Sequence, residues 1–293
     1  MRSEKEMIDL ILGTAREDDR IRAVYMNGSR TNPNAPKDIF QDYDVVYVVK
    51  DTKPFLEDEK WIDRFGRLMI LQEPDRLDQM LGREVDFSQC YGYLMQFADG
   101  NRIDLHLVSR EYAGKTCGTD SLTVVLLDKD GLLPMLPPPS DRDYHVQKPT
   151  FAKYHDICNN FWWVAPYCAK GLWRGEILYA ADMMDSILRD ELTLMLSWHV
   201  CIKKGFEFSL GKSRKYLKCC LSAEMWNRRM ETFIWSSYDS AWKALKTACG
   251  LFGETAPAVG EAFGLEYDRK EAENSFAFIR HIESLPKTAM GIY

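Results

Sequence analysis

The sequence of 293 residues has no long apolar run, no C-x-x-C pair, no excess of basic charge, and no internal repeat or low-complexity segment. Each absence excludes something. A membrane-crossing helix needs about 20 consecutive apolar residues, and no stretch here approaches that length, so no membrane partner is expected. The segment MRSEKEMIDLILGTAREDDR, from Met1 to Arg20, has charge at both ends of a short apolar centre. It reads as an amphipathic helix and not a signal peptide, and a soluble, cytoplasmic protein is expected. Eight cysteines without paired spacing suggest neither a zinc site nor a disulfide framework. Those among apolar neighbours, such as Cys158 and Cys168, read as buried reduced thiols. Asp and Glu number 44 against 38 Lys and Arg, for a formal net charge of −6. A nucleic-acid polymer is gripped through its phosphates by a basic surface, so no nucleic-acid partner is expected. A cationic partner is favoured.

What is present is a chain with 46% hydrophobic residues, ample for two real cores. It is organised around Met26 to Lys50, MNGSRTNPNAPKDIFQDYDVVYVVK. Gly28-Ser29 follows a short apolar run from Ile21 and offers a backbone that can turn tightly and bring N–H groups close to an anion, which suits phosphate. Asp42-Tyr43-Asp44 then opens Val45 to Val49, a β-branched and aromatic run that argues strand. Residues two apart in a strand share a face, so Asp42 and Asp44 project together. Like charges held that close repel, and a divalent cation is the natural partner. A third carboxylate stands at Asp104 in Arg102 to Val108, where Ile103, Leu105 and Leu107 alternate with Asp104 and His106. If that strand lies beside the first, three acids meet. Three acids, two Mg²⁺ ions roughly 3.5–4 Å apart and a phosphate-cradling turn make a two-metal phosphoryl or nucleotidyl transfer site.

The pattern predicts a helix over Glu4 to Arg16 and strands over Ile21 to Met26, Asp42 to Val49, Leu68 to Leu71, Tyr91 to Phe97, Arg102 to Val108 and Leu122 to Leu127. Glu73-Pro74-Asp75 reads as a turn. Asp99-Gly100 between apolar strands is a strong hairpin signal, which makes the fourth and fifth strands antiparallel neighbours and Asp104 central to the sheet. Pro134, Pro137, Pro138 and Pro139 then interrupt all periodicity, and beyond Thr150 the pattern is helical and aromatic. The fold class expected is α+β, with a mixed sheet and flanking helices over 1–135 and an α-helical domain over 150–293. In the second domain Glu176 to His199 reads as one long helix, Ser222 to Ser237 as another, and Asp239 to Cys249 and Thr255 to Phe263 as two more. Asp185 and Arg189, four apart, read as a surface pair.

Gly28-Ser29-Arg30, Asp42-x-Asp44 and Asp104 resemble the core motif of the nucleotidyltransferase superfamily that includes DNA polymerase beta. More narrowly, the run from Gly28 to Val48, with Arg102-Ile103-Asp104-Leu105 and Trp173-Arg174-Gly175-Glu176, resembles the aminoglycoside 6-adenylyltransferases, which modify streptomycin. The resemblance covers nearly the whole chain. It implies a polymerase-beta-like first domain and transfer of AMP from ATP to a hydroxyl of the antibiotic, with release of pyrophosphate. Streptomycin carries guanidinium groups, which an acidic protein would attract. The implied site uses Asp42, Asp44 and Asp104 for two Mg²⁺, and Gly28, Ser29 and Arg30 for the triphosphate. A sugar hydroxyl is a poor nucleophile near neutral pH and needs a positioned base. Asp182, after Tyr179-Ala180-Ala181, is the candidate, with Asp104 its rival. Lys170 and Lys212, each beside a glycine, are candidates for the departing pyrophosphate. Other acceptors, spectinomycin or a lincosamide, remain open. A non-catalytic toxin–antitoxin module would lack metal ligands or carry an Arg followed at short range by His in the helical half; all three acids are present, and Arg189 is ten residues from His199. A monomer is expected.

Overall fold

The computed structural model describes all residues from Met1 to Tyr293. The chain forms two compact units, Met1–Asp143 and Tyr144–Tyr293.

The first unit opens with helix α1 (Glu4–Glu17), started by a reciprocal cap: Glu6 N–H donates to the Ser3 hydroxyl while the Glu6 carboxylate accepts from Ser3 N–H. Strands β1 (Ile21–Asn27) and β2 (Tyr43–Val49) follow. Then come a short helix α2 (Lys53–Leu56), β3 (Leu68–Gln72), α3 (Pro74–Met80), β4 (Cys90–Phe97), β5 (Arg102–Ser109), α4 (Arg110–Thr116) and β6 (Val124–Asp128). The sheet order is β3-β4-β5-β2-β1-β6. β2 and β5 run parallel, and the other neighbours antiparallel. A parallel pair cannot be joined by a tight turn; here α2, β3, α3 and β4 make the crossover, and the Asp99-Gly100 hairpin returns the chain as β5 beside β2.

The sheet is covered on both faces. Met7 and Ile11 of α1 pack with Ile21, Val24 and Tyr47 on one, and Tyr47 donates its hydroxyl to the Ile11 carbonyl at 2.7 Å. Ala113 of α4 packs with Ala23, Tyr25, Val46, Val48 and Val108 on the other. Two-faced burial explains why β2 is a near-continuous apolar run. Pro74 opens α3 where a turn was expected, since a proline's fixed φ and missing N–H suit the first helical position.

The second unit is helical: α5 (Phe151–Arg174), α6 (Ile177–Met183), a π turn (Met184–Leu188), α7 (Arg189–Lys204), α8 (Ala223–Glu231), α9 (Tyr238–Phe263) and α10 (Arg269–Ser284). Three expectations are corrected here. The long helix from Glu176 is widened at its middle, because buried Ala180, Met184, Leu188 and Leu192 stand four apart. That spacing exceeds 3.6 residues, and the wider turn keeps the four on one face. Arg189 is not a surface residue: it pairs with Asp185 but is 9% exposed, donates to the Thr232 carbonyl and lies over the Phe233 ring. The helices expected over Asp239 to Cys249 and Thr255 to Phe263 are one helix, running through Gly250, Gly253 and Pro257. Its buried stripe, Ala248, Leu251, Phe252, Ala256 and Val259, is continuous across the break. Phe252 stacks on Phe161 at 3.8 Å, and Tyr154 donates to the Ala256 carbonyl at 2.7 Å. Packing outweighs local propensity there.

Burial pushes the Cys158 and Cys168 thiols up to about 12, which keeps them protonated and inert. No helix is long and apolar enough to cross a membrane.

Candidate active site

The site is built from the register of three strands. Asn27, the last residue of β1, pairs with Asp44 of β2. Gly28 therefore leaves the sheet directly over the Asp44 carboxylate, with φ at +79°. A Cβ at this position would stand 2.1 Å from Asp44 Oδ2, so both the backbone conformation and the space require glycine. The turn is held by Thr31, whose N–H donates to the Gly28 carbonyl at 3.2 Å and whose hydroxyl lies 2.7 Å from the Leu122 carbonyl.

Arg30, expected at the triphosphate, is placed in a clamp. Its guanidinium donates to the Asp42 carbonyl at 2.9 Å and the Gln41 carbonyl at 2.7 Å, and lies 3.7 Å from the Tyr43 ring centroid. These contacts fix the chain just ahead of β2, and so the direction in which Asp42 points.

The parallel pairing of β2 with β5 sets Asp44 opposite Asp104 and Tyr43 opposite Ile103. Alternation puts Asp42 on the same face one step before Asp44, beside Arg102. The result is a square of three acids and one base. Carboxylate oxygens of Asp42, Asp44 and Asp104 all lie within 4.8 Å of one another, on half-buried residues. Arg102 forks onto Asp104, Nε to Oδ1 and Nη2 to Oδ2, both at 2.7 Å, and its Nε is 3.9 Å from Asp42 Oδ2. The hydrogen bonds to Asp104, reinforced by the charges of Asp104, Asp42 and Asp44, raise the Arg102 pKa further. Next on the same face, His106 has its pKa pushed down by burial, so a neutral imidazole is favoured.

The donor set fits a hard divalent cation: all oxygen, all carboxylate, convergent. Convergent carboxylates beside a glycine turn able to approach phosphate can bind a cation–phosphate pair.

The remaining expected residues belong to the second unit. Asp182 is exposed on α6, its carbonyl accepting from the Ser186 hydroxyl. Lys170 sits near the end of α5 with its ammonium 5.5 Å from the Tyr167 ring and 5.7 Å from the Phe278 ring, and it lines a cavity of about 390 Å³ with Trp173 and Arg174. Lys212 is exposed where a short 3-10 turn (Lys212–Arg214) begins. Lys170 and Lys212 therefore stand on separate elements. Trp162 is a core residue whose indole N–H donates to the Tyr267 hydroxyl, and Trp173 donates to the Leu285 carbonyl.

Sequence reasoning missed Arg102. The signal was available: Arg102 and Asp104 are two apart in a strand and must share a face.

Comparison with known proteins places the chain in a class. The profile of the streptomycin adenylyltransferase family matches residues 1–282. The chain is 42% identical over 280 residues to an aminoglycoside 6-adenylyltransferase of Campylobacter jejuni, covering 96% of each. It is 40% identical over 268 residues to the enzyme of that name from Bacillus subtilis, covering 91% of this chain and 93% of that one. With that of Staphylococcus aureus it shares 37% over 253 residues, covering 86% of this chain and 89% of that one. The protein is thus a nucleotidyltransferase. It belongs to the streptomycin adenylyltransferase family.

Proposed function

We propose that the protein is an aminoglycoside 6-adenylyltransferase that transfers AMP from ATP to a hydroxyl of streptomycin and releases pyrophosphate. The observation that carries this reading is the convergence of Asp42, Asp44 and Asp104 within 4.8 Å beside the Gly28 turn. In the reaction the acceptor oxygen forms a bond to the α-phosphorus, the bond from that phosphorus to the β-bridging oxygen breaks, and the hydroxyl proton passes to a base.

Asp42, Asp44 and Asp104 would hold two Mg²⁺, which when bound supply charge neutralisation for the phosphates. The Gly28-Ser29 backbone receives the triphosphate at the turn that stands over the Asp44 carboxylate. Arg30 acts one step back, by holding Asp42 in place through its clamp on the Gln41 and Asp42 carbonyls. Asp182 is the base we assign to the acceptor proton, and Lys170 or Lys212 the cation we assign to the departing pyrophosphate. The net charge of −6 favours a cationic acceptor.

The test is a matrix of purified protein with each nucleoside triphosphate against streptomycin, kanamycin and spectinomycin, read as pyrophosphate release. Turnover is expected with ATP and streptomycin. Turnover only with spectinomycin or kanamycin would overturn the acceptor, and turnover only with another nucleotide would overturn the donor.

A further inference from the structure

We propose that Arg102 is the resident counter-cation of the carboxylate square: it holds Asp104 and neighbours Asp42, and a divalent cation binds there in competition with its charge. The inference rests on the proposed use of these acids as metal ligands and goes beyond it, because it assigns a role to a residue that is not itself a ligand.

Arg102 and Asp104 are two apart on β5, and Asp42 and Asp44 lie beside them on β2, so the arginine fills the fourth corner of a square whose other corners are acids. Both Asp104 oxygens accept from the guanidinium at 2.7 Å, and Asp42 Oδ2 is 3.9 Å from Nε. The fork geometry of arginine matches a carboxylate in a way an ammonium cannot. Three acids on one face repel one another, and a positive charge among them lowers that cost while no cation is bound.

An ion ligated by Asp104 would share the same two oxygens with the guanidinium, and the two positive charges would repel across them. Ion and guanidinium therefore compete, and the apparent affinity for the ion is reduced by the fraction of protein in which Arg102 is docked. Arg102 is then a positioning residue: it keeps the square assembled without metal and yields it to metal.

Removing the side chain should therefore have two opposite effects. Arg102→Gln should bind Mn²⁺ more tightly than the wild type, by about threefold to tenfold, because the competitor is gone and the square is more negative. The same variant, free of metal, should melt at a lower temperature, and saturating Mn²⁺ should close the gap. Arg102→Lys should fall between the two in Mn²⁺ affinity, since it keeps the charge and loses the fork.

The experiment is titration of the nucleotide-free full-length protein with Mn²⁺ by calorimetry, with melting curves with and without Mn²⁺. Equal or weaker Mn²⁺ binding by Arg102→Gln overturns the proposal, as does a melting gap that Mn²⁺ leaves unchanged. Should Arg102→Gln fail to fold, Arg102→Lys carries the test: Mn²⁺ binding no tighter than wild type overturns the proposal. Failure of the metal reading itself looks different: wild-type protein would then bind no Mn²⁺, or bind it equally well after Asp44→Asn.

Discussion

Gly28→Ala adds one methyl group, and the structure fixes where that group would go. The new Cβ would meet Asp44 Oδ2 at 2.1 Å and Cγ at 3.0 Å. A carbon and an oxygen rest at more than 3 Å, so the carboxylate must move by about 1 Å or the turn must open, and misplacement on that scale costs on the order of 100-fold in rate. The backbone cost is separate. Alanine in the left-handed region costs about 1–2 kcal/mol, and in a unit of this size each kcal/mol lowers the melting temperature by about 2–4 °C. Gly82→Ala isolates that second effect, because Gly82 has φ of +75° and nothing within 4 Å of its added Cβ. Both variants should melt a few degrees lower. Only Gly28→Ala should lose about 100-fold or more of the initial rate of pyrophosphate release with ATP and streptomycin. Near-full activity in Gly28→Ala would refute the placement of Asp44 in the chemistry, and equal losses in the two variants would show that backbone strain accounts for the effect.

Asp42→Asn and Asp44→Asn should each abolish Mg²⁺-dependent transfer while melting at the wild-type temperature or slightly above, because each relieves like-charge repulsion; substantial turnover in either contradicts the two-metal reading. Asp182→Asn should slow AMP transfer by about 10²–10⁴-fold, the usual size of general base catalysis, with Mn²⁺ and ATP affinities preserved; near-full activity would shift the assignment to Asp104. The last concerns Glu191 of α7, 8% exposed and accepting from the Asn160 amide at 2.6 Å, with Lys153 and Asp156 of α5 and its own neighbour Asp190 as the nearby charges. Burial pushes its carboxyl up to about 7, whereas in the unfolded chain it ionises near 4.3. The folded state therefore holds the extra proton between those values, and this group's contribution to stability falls as pH rises through that window. Glu191→Gln should flatten the fall in melting temperature between about pH 4.5 and 7, and an unchanged slope would show that the carboxyl is not held protonated.

Much of the first unit was legible because its signals are local. Val45 to Val49 is strand by composition, Asp99-Gly100 is a hairpin by turn chemistry, and Asp42 and Asp44 share a face by the two-residue period. The parallel pairing of β2 with β5 was not legible in the same way, since it depends on a crossover of some 50 residues; sequence alone offered it only as a condition. Arg102 escaped notice because its importance depends on that pairing, which brings Asp42 alongside. The second unit was harder to read. Gly250 and Gly253 mark a break by propensity, but the helix is set by what Phe252 and Ala256 pack against. The four-residue spacing from Ala180 to Leu192 was visible, but the tertiary burial that turns it into a π turn was not.

The central claim is that AMP, and not a phosphoryl group, passes from ATP to streptomycin. The direct test follows the label in paired reactions of the purified protein with Mg²⁺, streptomycin and ATP labelled at either the α- or the γ-phosphorus. The account predicts α-label in the antibiotic and γ-label in pyrophosphate. γ-label in the antibiotic, or no label in it from either donor, would contradict it.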